Sequence, residues 1–210
     1  MIDNLLIGIL GALIGVFFGH RLTLTLYRER GKSLERAYYN EFEIMLNDFK
    51  SWFPTLVGEY DEPLREAYSG RPSLDLKLIQ GLVLELVSTD KVINSDQRKL
   101  LANLERVIEN IRRNDVERDI YIKQWLKDGE AFDKIERRRI SQKLSFITAN
   151  LLLDVSQSIY YLNKLIFERS KFSFGKDVSV ISFFCHSCEV CKMDFVDDKW
   201  SNLTRRLNVE

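Results

Sequence analysis

The chain has 210 residues, long enough for one good core with appendages, and its 31 basic residues are balanced by 31 acidic ones. Zero net charge removes any sequence-wide argument for a nucleic-acid partner, and none is expected. Pro and Gly are scarce, while Leu, Ile, Glu, Lys and Arg are abundant, a helical composition that predicts an all-α fold.

The first predicted element is apolar. Leu5 to Phe18 carries no charge, and on a rise of about 1.5 Å per residue it covers about 21 Å, the length of a core helix or a signal-peptide h-region. With Ile2 before it and Gly19 and Leu22 after it, the helix reaches about 30 Å. His20 and Arg21 then snorkel towards head groups, and Tyr27, Arg28 and Arg30 lie at the membrane interface. A cleaved signal would need a basic leader and small residues before the cut, and neither is present. The expectation is a single-pass anchor over residues 1–27. Lys and Arg lie only after the span, so the positive-inside rule puts the N-terminus outside and the rest in the cytoplasm.

At about 100° per residue, Gly8, Gly11, Gly15 and Gly19 fall within an arc of about 80°, opposite Leu6, Leu10, Leu13 and Phe17. This small-residue face lets a second helix approach closely, so the expected partners are the lipid bilayer and either a second copy or another protein's helix. The apolar segment running into Gly19-His20-Arg21-Leu22 and then Arg28-Glu29-Arg30 resembles the N-terminus of uncharacterised bacterial single-pass inner-membrane proteins with a glycine-rich span. The resemblance covers about residues 5–32. It implies a bacterial inner-membrane protein with a cytoplasmic domain, with no activity attached.

A helical bundle is predicted over residues 28–170. Large side chains at 34, 38, 42, 45, 46, 49, 52 and 53 form one helical face, and the first helix can run straight into this one. Pro54, Gly58, Pro63, Gly70 and Pro72 mark a broken segment with a short helix capped by Asp61. Ser73 can cap the next helix, whose Leu76, Ile79, Leu82, Val83, Leu86 and Val87 make it the expected central core element. Ser95 can cap a helix ending at Lys127-Asp128-Gly129, with Leu100, Leu104, Val107, Ile108 and Ile111 on one face. The last long helix spans about Glu130 to Arg169, with Leu144, Ile147, Leu151, Val155, Ile159, Leu162 and Ile166 three or four apart. Short connections imply antiparallel packing.

The third predicted segment, residues 171–210, is irregular or β-containing. Val178 to Phe184 is β-branched and aromatic, the composition of a short strand, and Asp197 can cap a terminal helix presenting Trp200, Leu203 and Leu207. All three cysteines lie here. Cys185, His186, Cys188 and Cys191 offer four ligands on paper, enough for a zinc ion, the one cofactor considered. Structural zinc usually joins two ligand pairs across a loop, and an iron–sulfur run would place a fourth Cys where Phe195 stands. Reduced structural cysteines and a redox-reactive thiol pair are the alternatives.

Other candidates have plain readings. His20 is an interfacial anchor or a proton-responsive group. Arg137-Arg138-Arg139 is a solvated basic face, and Arg112-Arg113 is interleaved with acids that can pair with it. With two histidines at opposite ends, no phosphate-binding loop, no dinucleotide fingerprint and no Glu-x-x-His pair, no enzyme is expected. The sequence reads as a membrane-anchored helical-bundle interaction protein, an accessory or sensory component of a membrane-associated assembly. A membrane-tethered metal or redox sensor built on Cys185 to Cys191 is the second reading.

Overall fold

The computed structural model describes the backbone of residues 2–91, 93–175 and 178–207, and the side chains of these from residue 14 onward. Six α-helices and one short 3₁₀ turn form among the described residues, with no strand. The longest, α1 (Ile2–Asp61), runs without interruption through Pro54. The helix break expected there therefore does not occur, and Asp61 closes α1 instead of capping a new helix.

The chain divides into two compact units, Met1–Asn40 with Lys77–Ile93, and Glu41–Leu76 with Asn94–Glu210. In the first, α1 is joined to the end of α2 (Lys77–Val87) and the turn after it. Tyr27 donates its hydroxyl to the Ser88 carbonyl at 2.9 Å, Arg30 reaches Glu85 at 3.4 Å, and Lys91 pairs with Glu35 at 2.6 Å. Gly31 eases this approach, because a Cβ there would stand 3.0 Å from the Asp90 carboxylate and push that side chain aside. The expectation that α2 is the central core element fails: it buries Ile79 and Leu86 but exposes Leu78, Leu84 and Val87. An apolar helix of 11 residues has a face left over when only one side of it is covered.

The second unit is a helical bundle made by the C-terminal part of α1, α3 (Ser95–Asp128), α4 (Lys134–Glu168), α5 (Val180–Val190) and α6 (Asp197–Arg206). Its central element is α4. Ala149, Leu151, Leu152, Val155, Ile159, Leu162 and Leu165 are all fully buried, and adjacent buried positions such as Leu151 and Leu152 mean that more than one side of the helix is covered. Against it pack α3, through Leu100, Leu104, Val107, Ile108 and Ile111, and α5. The cap of α3 is Asn94 and not Ser95: its side chain accepts the Gln97 N–H, while the Gln97 side chain accepts the Asn94 N–H, a complete capping box. Asp133 caps α4 by accepting from Glu136.

The strand expected over Val178 to Phe184 is instead the start of α5. Ser179 caps it by accepting the Ser182 N–H, and Phe183, Phe184, Ser187 and Cys188 then fall on one buried side. β-Branched residues prefer strands only where a neighbouring strand can take their hydrogen bonds, and here a helix docking on α4 satisfies the backbone internally. In α6, Val196 is the capping residue and Asp197 the first helical one. Its Trp200 stacks on Phe184 at 4.6 Å and on Phe53 at 6.0 Å, tying α1, α5 and α6 together.

The N-terminal membrane span is overturned: among the described residues no helix is long and apolar enough to cross a membrane. Within the described residues the apolar stretch is interrupted at His20-Arg21 and closed by Arg28-Glu29-Arg30. Leu5 to Leu13, and with them Gly8 and Gly11, lie outside the residues whose side chains are described. The single-pass inner-membrane placement and its orientation fall with the span.

Candidate functional site

Every residue from Ile14 to Arg30 is exposed. Val16 is 71% exposed, Phe18 64%, Leu22 62% and Leu26 62%, so this is apolar surface with no cover. At about 100° per residue, Gly15, Phe18, Gly19, Leu22 and Leu26 share an arc of about 100°. A Cβ added at Gly15 or Gly19 would meet nothing within 4 Å. The stretch is polar only locally. The Arg21 guanidinium lies 5.1 Å over the Phe17 ring, and the hydroxyls of Thr23 and Thr25 donate to the carbonyls of Gly19 and Arg21, both at 2.9 Å. Their donors are thus spent on the helix's own backbone. Arg30 is drawn to Glu85, while Glu29 pairs with Lys32 and is held below the usual carboxylate range by that hydrogen bond.

The cysteine segment is folded into α5 and its turn. Cys185 is exposed, Cys188 is buried and Cys191 half-buried. Burial pushes the Cys188 thiol up to about 11, next to the Trp200 indole, and raises Cys191 as well, so both remain thiols near neutrality and are poor nucleophiles. His186 turns to α4, where its Nε2 pairs with the Asn163 amide at 3.0 Å and its ring meets Tyr160 edge-on at 5.4 Å. Burial lowers its basicity, with Glu189 opposing. Helical geometry spreads Cys185, His186, Cys188 and Cys191 around α5. No group of three His, Cys, Asp or Glu that could hold a metal occurs among the described residues.

A buried ion pair and a half-buried carboxyl were not read from the sequence. Arg118, 2% exposed, donates to Glu59, 1% exposed, and also to the Ser69 carbonyl at 2.7 Å and Asp115 at 2.8 Å. Glu59 in turn accepts the Ser69 N–H at 2.9 Å, and Arg71 lies 3.5 Å from Asp115. The arrangement fastens the irregular segment 62–76 onto α1 and α3. Of it, only the Asp115 to Arg118 spacing is visible locally in sequence, since Glu59 and Ser69 are 59 and 49 residues away. The other is Asp154, set within Leu151-Leu152-Leu153 and Val155 on α4. Burial raises its carboxyl to about 7, with Arg113 and Arg106 pulling the other way. A lone acid in an apolar run was the available signal.

Arginines singled out in the sequence find nearby partners, and Arg112 also reaches the Leu74 carbonyl at 3.2 Å. Arg112 reaches Glu109 at 3.5 Å, Arg113 the Asn110 amide oxygen at 3.1 Å, and Arg139 Glu136 at 2.6 Å, while Arg137 donates to the carbonyls of Phe132 and Glu130.

No protein-family model, curated protein or solved structure matches this chain.

Proposed function

We propose that this protein is a non-enzymatic helical interaction protein, an accessory or sensory component of an assembly, and that residues 14–27 of α1 are its contact surface. One observation carries the reading: a helix stretch on which Ile14, Val16, Phe17, Phe18, Leu22, Leu24 and Leu26 are all exposed. Contiguous exposed apolar surface of this kind is a docking face, because burying it against a partner releases the water it orders. The second copy of the same segment is the partner we favour. Gly15 and Gly19 are open, and Phe18, Leu22 and Leu26 flank them at helical spacing, so two such stripes interdigitate with the axes close together.

Sedimentation velocity of the full-length protein, with crosslinking and mass identification of the adducts, tests it. The expected result is a dimer whose crosslinks map to residues 14–27. Gly15→Ile should weaken it at least tenfold, since a branched side chain holds the axes apart while raising helix propensity. A monomer at every concentration with no captured partner, or association indifferent to Gly15→Ile and Leu22→Asn, would overturn it.

A further inference from the structure

Between α3 and α4 lies a cavity of 140 Å³ that has no part in the association surface. Its floor is apolar: Leu100, Leu104 and Val107 are buried side chains of α3. The rings of Tyr161 and Phe174 form one wall, edge to face at 5.2 Å. An apolar cavity of about 150 Å³ is the size that accepts a benzene ring. A ring entering here would meet two aromatic neighbours already disposed edge-on, the arrangement aromatic groups prefer.

The rim is of a different character. Arg106, Asn103 and Gln157 line it and make no hydrogen bond to another described residue, and neither does the Tyr161 hydroxyl. These are a cation, two amides and a phenol, all able to donate. The nearby carboxyl, Asp154, lies among apolar neighbours, with Arg106 and Arg113 of α3 acting on it. Two guanidiniums, Arg106 and Arg113, thus act on this one carboxyl, which leaves the balance of charge there positive. Concave apolar space with a few convergent, unmatched polar groups is the usual form of a small-molecule site.

We infer that this cavity binds a small monocyclic aromatic acid, with the ring on Leu100, Leu104 and Val107 and the carboxylate at Arg106. A guanidinium presents paired N–H donors that fit a carboxylate, and the amides of Asn103 and Gln157 and the Tyr161 hydroxyl are within the same rim to complete it. Neutral aromatics would gain the ring contacts only.

Methyl-resolved NMR titration of the full-length protein tests the inference, with phenylacetate, benzyl alcohol and cyclohexylacetate as probes. The expected result is binding of phenylacetate with a Kd between about 10 μM and 1 mM, a range set by its size. Shifts should be confined to the methyls of Leu100, Leu104 and Val107, with benzyl alcohol and cyclohexylacetate each at least fivefold weaker. Arg106→Gln, at an exposed position, should weaken phenylacetate about tenfold and leave benzyl alcohol unchanged. No binding at about 10 mM, roughly ten times the weakest Kd expected, shifts at methyls elsewhere, or equal affinity for the acid and the alcohol would each overturn it. None of these outcomes depends on whether the chain dimerises.

Discussion

The Cys191 thiol points at the main-chain carbonyl of Lys50, 3.6 Å away, and Pro54 is the reason that carbonyl is free. In an uninterrupted helix the N–H four residues on would take it, but proline has none. Burial keeps the thiol protonated and thus able to donate. The cysteine that looked like a ligand in the sequence repairs a defect in α1.

Replacing that donor has a defined consequence. Cys191→Ala should cost about 0.5–1.5 kcal/mol, the net worth of one hydrogen bond, and Cys191→Ser should retain most of it. In a Pro54→Ala background the helix closes its own bond, so the cost of Cys191→Ala should largely vanish. A urea-denaturation cycle of the four proteins measures the coupling; equal costs in both backgrounds would show that the carbonyl is not what the thiol serves.

Removing one partner of the buried ion pair should be more severe. Glu59→Gln leaves Arg118 with Asp115 and the Ser69 carbonyl but without its most buried counter-charge. The expected loss is about 2–4 kcal/mol. Because Glu59 also holds the Ser69 N–H, segment 62–76 should become the earliest site of limited proteolysis. Unchanged cleavage kinetics at that segment would count against its being held there by the pair.

Asp154 makes stability depend on pH in an unusual direction for a carboxylate. The folded group keeps its proton up to about 7, whereas an unfolded Asp releases it near 3.9. Between those values the native state binds more protons than the unfolded state. Its contribution to stability is therefore full below about pH 3.9, declines as pH rises to about 7, and stays lost above that. Asp154→Asn should flatten this part of the profile and stabilise the protein at pH 8 by about 1–3 kcal/mol, read from chemical denaturation at several pH values.

Much of the fold is legible because its rule is local. Leu100, Leu104, Val107, Ile108 and Ile111 on α3, and Leu144 to Leu162 on α4, repeat at three and four residues, and those side chains are the buried ones. The failures involve partners distant in sequence. Pro54 passes through α1 and leaves a Lys50 carbonyl that the Cys191 thiol meets, and Val180 to Phe184 is helical where α4 offers it a face. The apolar opening reaches the length of a span only when the helix is carried past His20-Arg21 to Leu22. At the candidate site, Gly15 and Gly19 are where the 3.6-residue period puts them, on the outside of a helix, but their being uncovered is a property of the whole chain. The ring-sized cavity has no sequence signature, since its residues come from both helices of a hairpin and the turn beyond it.

The Asn94 cap also sets a clock. Its side-chain amide donates to the carbonyls of Ser170 and Phe172, 76 and 78 residues further along, while Gln97 donates to Arg169. These are the contacts at the open end of the α3–α4 hairpin, the end remote from its connecting turn at Gly129. A hairpin that nucleates at the turn reaches them last, so they belong to the native state and not to the barrier. Asn94→Ala should leave the refolding rate nearly unchanged and quicken unfolding several-fold, a split readable from the two arms of a chevron. One side chain would thereby govern how long the bundle persists, more than how quickly it forms.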